Sequence, residues 1–180
     1  MRTPEDQPPP AGDLIRFATV ETVDLAAARC VVRVGELLTG PIRWIEAAAG
    51  ATRTWSPPAV GEQVLLLCAE GELEMAVALR GITCAAFPPI GDSLRELVRF
   101  EDGAEIAYDP ETHKLEAMLP AGATVAIEAS GGITIDASEG GIAIIGDVSV
   151  EGDVVARGVS LVKHRHQQVR IGTDLSGEPA

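Results

Sequence analysis

The sequence predicts an all-β protein: an N-terminal OB-fold barrel followed by an intertwined trimeric triple-stranded β-helix with a metal-bound apex. Three observations lead to this prediction. The 19 glycines and 12 prolines interrupt the chain often, which favours short strands over long helices. Hydrophobic residues make up 46% of the chain but aromatic residues only 3%, so any core is aliphatic. The second half of the chain repeats short alternating apolar bursts separated by glycine.

The first elements are an arm and a barrel. Residues 1–13 are polar and Pro-rich, which predicts a flexible N-terminal arm because such sequence buries too little surface to order itself. Residues 14–86 contain five short strand-like runs with turn signals between them, which suits an OB-fold domain. The runs are LIRFATVETVD (14–24), RCVVRVG (29–35), PIRWIEA (41–47), VGEQVLLLC (60–68) and EMAVALRG (74–81). The fourth run is apolar on both faces, which predicts a central strand.

The barrel segment holds the tryptophans and the cysteines. Trp44 and Trp55 fit a barrel core or a subunit interface better than a ligand-binding face. Arg53 is expected to stack on Trp55, and an Ala-rich helical turn is expected in the long connection 47–58. Cysteines 30, 68 and 84 are odd in number and form no CxxC motif, and Cys30 and Cys68 lie inside apolar strand-like runs. This predicts buried reduced thiols rather than metal or redox roles.

Residues 87–98 are predicted to be a linker, and LRELVRF (94–100) is a short helix or a strand. Residues 99–162 are predicted to form the β-helix. Their bursts are LEAML (115–119), TVAIEA (124–129), GITIDA (132–137), GIAII (141–145), DVSV (147–150) and DVV (153–155). Isolated strands this short are marginal in water, and aromatic residues for a one-chain core are almost missing. Three copies wound around one axis would bury the alternating aliphatic positions. A one-chain solenoid remains the alternative.

Residues 163–180 are predicted to form the apex, which carries His164-Arg165-His166. On an extended strand, residues i and i+2 point to the same side. Two imidazoles per chain become six at a threefold axis, and six nitrogens favour an octahedral first-row metal such as Fe(II) over zinc. Nickel or cobalt would also fit, and an exposed histidine pair is the simpler alternative. His113, in DPETHK, is expected to be a solvated turn residue.

The charge and the N-terminus limit the function. The net charge is −13, which argues against nucleic acid as a partner and against simple attraction to an anionic membrane. Acid pairs such as Glu101-Asp102 and Asp109 with Glu111 are expected to solvate the surface rather than perform catalysis. No signal peptide and no run of ~20 apolar residues is visible, which predicts a chain made in soluble form in a host cytoplasm.

Three stretches together resemble a known family. They are TRTWSPPAVGEQVLLL (52–67), DGAEIAYDPETHKLEAMLPAGATVAIEA (102–129) and KHRHQQVRIGTDLSG (163–177). The chain resembles the baseplate assembly protein V, or central spike, family of contractile-tail phages and R-type pyocins. The resemblance covers nearly the whole chain after the arm.

The resemblance implies a homotrimer whose OB-fold docks on the baseplate hub protein at the end of the tail tube. It implies one iron ion (Fe²⁺) per trimer, held at the apex by His164 and His166. Sheath contraction would drive this spike through the outer membrane of a target bacterium, as part of a virion tail or an extracellular pyocin particle. The alternatives are a spike-borne cell-envelope hydrolase and an OB-type carbohydrate-binding module. The tail departs from the family, which often has glycine and threonine where this chain has Lys163, Arg165, Gln167 and Gln168.

Overall fold

The structure is a computed structural model that describes residues 11–165 and Gly172. The described residues are almost entirely β-strand, turn and irregular chain, with one helical turn at Ala11–Leu14 and two 3₁₀ turns at Ala69–Gly71 and Leu73–Met75. The chain divides into two compact units between Thr124 and Val125. The all-β prediction is therefore confirmed. None of the helices in the described part has the length and apolar character needed to cross a bilayer.

A six-stranded sheet forms the first part of the N-terminal unit. Its strands are β1 (Ile15–Asp24), β2 (Arg29–Val34), β3 (Leu37–Leu38), β4 (Arg43–Trp44), β5 (Gln63–Leu67) and β6 (Val77–Ile82). The order is β3-β2-β1-β5-β6-β4, so the strand predicted to be central is central. An antiparallel bridge between Cys30 and Ile42 links β2 to the start of β4 and closes the sheet into a barrel.

The barrel core follows from alternation along the strands. In β1 and β5 the inward positions are two residues apart, as in Ala18 and Val20 or Val64 and Leu66. Val32, Val64, Leu66 and Val20 are at most 1% exposed. Trp44 is the one aromatic residue of this core, which confirms the expectation that a tryptophan packs in the barrel.

Two details of the N-terminal unit differ from the sequence predictions. The connection 47–58 contains no helical turn; an antiparallel bridge between Ala49 and Arg53 folds it back on itself. Arg53 donates to the Gly50 carbonyl oxygen at 3.3 Å instead of stacking on Trp55. The predicted arm lies mostly outside the described residues, although its last residues begin the helical turn Ala11–Leu14.

Two hairpins of this unit share one turn design. The first loop, which joins β1 to β2, lies between the paired residues Asp24 and Arg29. The second loop, residues 110–113, lies between the paired residues Asp109 and Lys114. In each, the aspartate side chain accepts a backbone N–H within the loop, which is the local bonding that makes aspartate a turn former. The last loop residue has positive φ: 51° at Ala28 and 56° at His113. His113 is exposed, as predicted.

A separate three-stranded antiparallel sheet follows the barrel. It consists of β7 (Glu96–Arg99), β8 (Glu105–Asp109) and β9 (Lys114–Met118), in that order. The stretch 94–100, which the sequence left open between helix and strand, thus contains a strand. The first predicted burst of the β-helix, 115–119, overlaps β9 at residues 115–118.

The second unit has little regular structure within one chain. Its strands among the described residues are β10 (Val155–Ala156) and β11 (Val159–Ser160), which form a tight hairpin. Residues 119–154 contain no strand; short unpaired segments alternate with turns at 121–122, 130–131 and 138–140. The turn spacing matches the predicted repeat. The triple-stranded β-helix stays a prediction, because its ladders would join different chains.

Candidate functional site

An aliphatic surface runs along the second unit. It consists of the alternating positions Val125, Ile127, Ile133, Ile135, Ile142, Ile144, Val148 and Val150, all exposed in the single chain. Ile127, Ile135 and Ile144 are 72%, 69% and 66% exposed. A segment that leaves so many aliphatic side chains in water usually carries an interaction site.

Few backbone N–H and C=O groups of the same segment form backbone–backbone hydrogen bonds within the chain. Among the described residues from 120 to 153, the backbone–backbone hydrogen bonds are those donated by Ala123, Gly132 and Gly141, and each closes a turn. The segments between these turns have no ladder within the chain. Backbone N–H and C=O groups need partners once they are buried, so covering the aliphatic surface requires other strands.

The β7–β9 sheet has two unlike faces. One face carries Val98, Ile106, Tyr108 and Leu115, which the strand registers place opposite one another and which are 44% to 73% exposed. We call this the apolar sheet face. The other face carries most of the charged residues of the sheet, although Glu96 pairs with Tyr108 on the apolar face. The charged face is nevertheless the more buried at its centre, where Glu105 is 5% and Ala107 is 3% exposed. In the single chain, the apolar sheet face is therefore the more exposed of the two faces.

The charged face is an ion-pair cluster around Glu105. Arg95 Nη1 lies 2.7 Å from Glu105 Oε1, and Arg99 Nη2 lies 3.0 Å from Oε2. Arg95 also reaches Glu116 at 3.6 Å. The hydrogen bonds from Arg99 and Arg95 hold the pKa of Glu105 below its ordinary value. Two guanidinium groups thus share one buried carboxylate and cover this face.

Of the predicted metal ligands, His164 is described and His166 lies outside the described residues. His164 is exposed, just after the turn that follows β11. Its Nδ1 lies 2.9 Å from the Leu161 carbonyl oxygen and 3.0 Å from that of Ser160. Both oxygens are acceptors, so the ring proton belongs on Nδ1 and the basic lone pair on Nε2. Histidines that bind metals are commonly oriented in this way by a backbone carbonyl.

The turn that presents His164 is fixed by Asp153. Its carboxylate accepts from Ser160 Oγ at 2.6 Å and from the Val162 N–H at 3.2 Å. These bonds, the Ser160 bond first, hold the pKa of Asp153 below its ordinary value. Ser160 Oγ in turn accepts the Lys163 N–H at 2.8 Å. Within the described residues, no group of three or more His, Cys, Asp or Glu side chains forms a metal site in one chain.

The barrel carries a second organised region around Trp55. Its ring centroid lies 5.5 Å from that of Trp44, and Trp55 itself is 59% exposed. Glu46 fixes the loop: it accepts from Trp44 Nε1 at 2.8 Å, from Thr54 Oγ1 at 2.9 Å and from the Ser56 N–H at 2.9 Å. These bonds, the Ser56 bond first, lower the pKa of Glu46. Trp55 is therefore an exposed aromatic side chain on a fixed loop.

The cysteines behave largely as predicted. Cys30 and Cys68 are buried and Cys84 is partly exposed, and all three are free thiols. Burial raises the pKa of the Cys30 and Cys68 thiols. Two of the acidic residues singled out in the sequence form turn hydrogen bonds: Asp102 accepts from the Ala104 N–H, and Asp109 accepts from the Glu111 and Thr112 N–H groups.

The comparisons with known proteins agree with this architecture. Residues 16–82 match the family described as the type VI secretion system/phage-baseplate injector OB domain, so the barrel is an OB-fold. The spike protein of Escherichia phage P2 is 41% identical over 123 residues, which are 68% of this chain. This chain belongs to the phage baseplate spike family. The matched part covers 57% of the P2 spike protein.

Sequence reasoning missed the charged residues that organise this baseplate spike chain. Glu46 and Glu105 each act through contacts with residues up to ten positions away, which no short motif reveals, and acidic residues are too common here to stand out. A second missed pair is Glu62 with Arg80, 2.8 Å apart between Glu62 Oε1 and Arg80 Nε. Arg80 also hydrogen-bonds Ser56, and so ties β6 to the loop that carries Trp55.

Proposed function

We propose that the chain is the structural central spike of a contractile injection particle, a phage tail or an R-type pyocin baseplate. In this role it forms a homotrimer that pierces the outer membrane of the target bacterium when the sheath contracts. The observation that carries the proposal is the aliphatic surface of the second unit, which has neither a core nor a backbone ladder within one chain. Membership of the baseplate spike family supports it.

The first step of the argument is self-association. Covering an isoleucine or valine side chain is favourable by about 1.5–3 kcal/mol relative to leaving it in water. The aliphatic surface offers eight such positions per chain. Strands from other copies would cover these positions and pair with the unsatisfied backbone. Because every chain has the same repeat, identical copies can cover one another's aliphatic side chains and pair with one another's backbone. No second kind of subunit is required.

The apolar sheet face supports the same conclusion from an independent region. Val98, Ile106, Tyr108 and Leu115 lie on it, and its opposite face is already covered by the ion pairs of Glu105. Copies of the chain would cover this face at the start of the shaft, our name for the predicted β-helix of residues 99–162. A triple-stranded β-helix requires three copies.

The histidines complete the shaft. His164 of each chain, with its proton on Nδ1, has the donor chemistry of a metal ligand, and His166 follows two residues later. Three chains would supply six imidazoles, a set that suits Fe²⁺ at one ion per trimer. A bound ion would supply a cross-link between three chain ends. The ends are where an unsupported shaft would fray first, so this position needs such a link most.

The barrel would serve as the docking end. We propose that the OB-fold binds the baseplate hub protein at the end of the tail tube. The spike is then a part of the virion tail or of the extracellular pyocin particle, and it acts mechanically, without turnover of a substrate. A fixed exposed residue such as Trp55 is the kind of side chain that anchors a protein interface. A cell-wall-degrading activity of the purified chain would favour the hydrolase alternative instead.

The test uses particles assembled with and without this chain. Particles that carry the wild-type chain should show it on the tube axis by immunogold electron microscopy and should permeabilise target cells. A chain with Ile135→Asp and Ile144→Asp should give particles that contract but release little potassium from cells, because charges in the shaft interior prevent its assembly. Particles that lack the chain and still permeabilise cells as wild type does would contradict the proposal.

A further inference from the structure

The charge of the chain is distributed unevenly. From residue 101 to residue 153 the sequence has twelve acidic residues and one basic residue, Lys114. From 154 to 170 it has no acidic residue and four basic ones: Arg157, Lys163, Arg165 and Arg170. The net charge of −13 therefore hides a basic segment at the end of the shaft, next to the histidines. Charges more than about 8 Å apart are largely screened at physiological salt, so this segment acts by its local charge.

Arg157 occupies a backbone position that does not favour arginine. It precedes Gly158 in the two-residue turn that joins β10 to β11, and the two φ angles are +50° and +81°. Two consecutive positive φ values in a two-residue hairpin define a type I′ turn, where Asn-Gly is preferred. A non-glycine residue at positive φ carries a conformational cost. Ala28 and His113 occupy similar positions in other turns of this chain, so the turn geometry by itself only places Arg157 at the closed end of the hairpin.

The basic side chains are open to solvent and unpaired. Arg157, Lys163 and Arg165 are exposed, and none of them takes part in the ion pairs found among residues 11–165. The carboxylate nearest to Arg157 in sequence, Asp153, accepts hydrogen bonds from Ser160 Oγ and the Val162 N–H. In the first unit, six basic residues pair with carboxylates, namely Arg16, Arg33, Arg80, Arg95, Arg99 and Lys114. Arg29, Arg43 and Arg53 take part in none of these pairs, so what distinguishes Arg157, Lys163 and Arg165 is that they lie in a segment without acidic residues.

The hairpin brings these side chains to one small region. Arg157 lies at its closed end, and the chain leaves its open end through Leu161, whose N–H donates to the Val154 carbonyl at 2.8 Å. Three residues of strand separate the two ends, which is about 10 Å at the usual rise per residue. Lys163 and Arg165 follow directly. A trimer would repeat this arrangement three times around the apex.

We propose that Arg157, Lys163 and Arg165 form a basic collar that binds the phosphate groups of an anionic lipid surface as the spike arrives. This inference rests on the proposed function and adds a recognition step to it. Arginine and lysine near an anionic bilayer attract it locally, and each such residue strengthens binding about fivefold. Phosphate is the natural ligand, because guanidinium groups match its geometry with paired N–H donors. The acidic remainder of the shaft would oppose flat adsorption and so favour contact through the tip.

The experiment measures co-sedimentation of the full chain with vesicles, alongside its mass by sedimentation equilibrium. The vesicles are phosphatidylcholine alone or phosphatidylcholine with phosphatidylglycerol. The test variant is Arg157→Asn with Arg165→Gln. The matched control is Arg43→Gln with Arg53→Gln, which removes two exposed arginines from the barrel. Asparagine suits the type I′ turn, so the test variant should keep the thermal stability of the wild type.

The collar is supported if the wild-type protein binds the anionic vesicles and not the neutral ones, and if the test variant binds at least ~30-fold more weakly while the control does not change. About 30-fold is the effect of two charges in one chain, and each further chain of the trimer that contacts the bilayer adds to it. Binding should also weaken as salt rises. The collar is wrong if a trimeric wild-type protein ignores anionic vesicles, if test and control variants lose affinity equally, or if a DNA duplex at equal phosphate concentration binds as well as the vesicles. A monomeric wild-type protein would instead overturn the proposed function itself.

Discussion

Ile135→Ala gives opposite results according to whether the shaft is a single chain or a trimer. Ile135 lies on the aliphatic surface and is 69% exposed in one chain. If the chain acted alone, removing an exposed side chain would change the free energy of unfolding by less than about 0.5 kcal/mol. If two other copies cover the residue, the same truncation would cost about 2–5 kcal/mol per chain. Three equivalent sites would then destabilise the trimer by about 6–15 kcal/mol.

The assay is guanidinium-induced unfolding followed by circular dichroism at several protein concentrations, with oligomeric mass measured in parallel. The matched control is Ile145→Ala, because Ile145 is next to Ile144 and lies out of phase with the alternating positions. We expect a large, concentration-dependent loss of stability for Ile135→Ala and a small loss for Ile145→Ala. Equal and small losses in both variants would refute the reasoning that the alternating face is covered by other chains.

Three further predictions concern single regions. His164→Ala with His166→Ala should abolish bound metal in elemental analysis while the protein keeps its trimeric mass; full metal content in this variant would disprove the apex assignment. Glu105→Gln should flatten the dependence of stability on pH: because the folded pKa of Glu105 is lowered, the wild type is stabilised above the unfolded pKa and loses this stabilisation as pH falls through the folded value, below about pH 4.5. A wild-type-like acid loss in Glu105→Gln would mean that other carboxylates control it. In the native protein, Cys84 should react with a thiol reagent well before Cys30 and Cys68, which are 1% and 3% exposed, and simultaneous labelling of all three would show that the barrel opens readily.

The barrel was predictable because its signals are local. Alternation along 14–24 and 60–68, together with the turns between runs, indicated the strands and even the central place of β5. The connection 47–58 was less predictable. Its alanines suggest a helical turn, but Glu46 offers its carboxylate to Thr54 and Ser56 and holds the loop in another shape. A helix preference of a few residues is weak compared with such contacts.

The shaft was predictable only as a repeat, because most of its bursts have no strand partner within one chain. Its repeat was visible in the sequence, and the structure of one chain shows why that repeat cannot be completed locally: the aliphatic positions are exposed and the backbone has no ladder. The inverted arrangement of the β7–β9 sheet could not be read from the sequence. Its charged face is buried only because Arg95 and Arg99 meet at Glu105, and that meeting depends on strand register.

The central claim is that identical copies of the chain cover one another's aliphatic side chains. The most direct test is the mass of the purified full-length protein by native mass spectrometry and sedimentation equilibrium. We predict a single species at three times the chain mass of 18.8 kDa that persists on dilution, with substoichiometric metal at one ion per three chains. A folded species at the mass of one chain would contradict the claim.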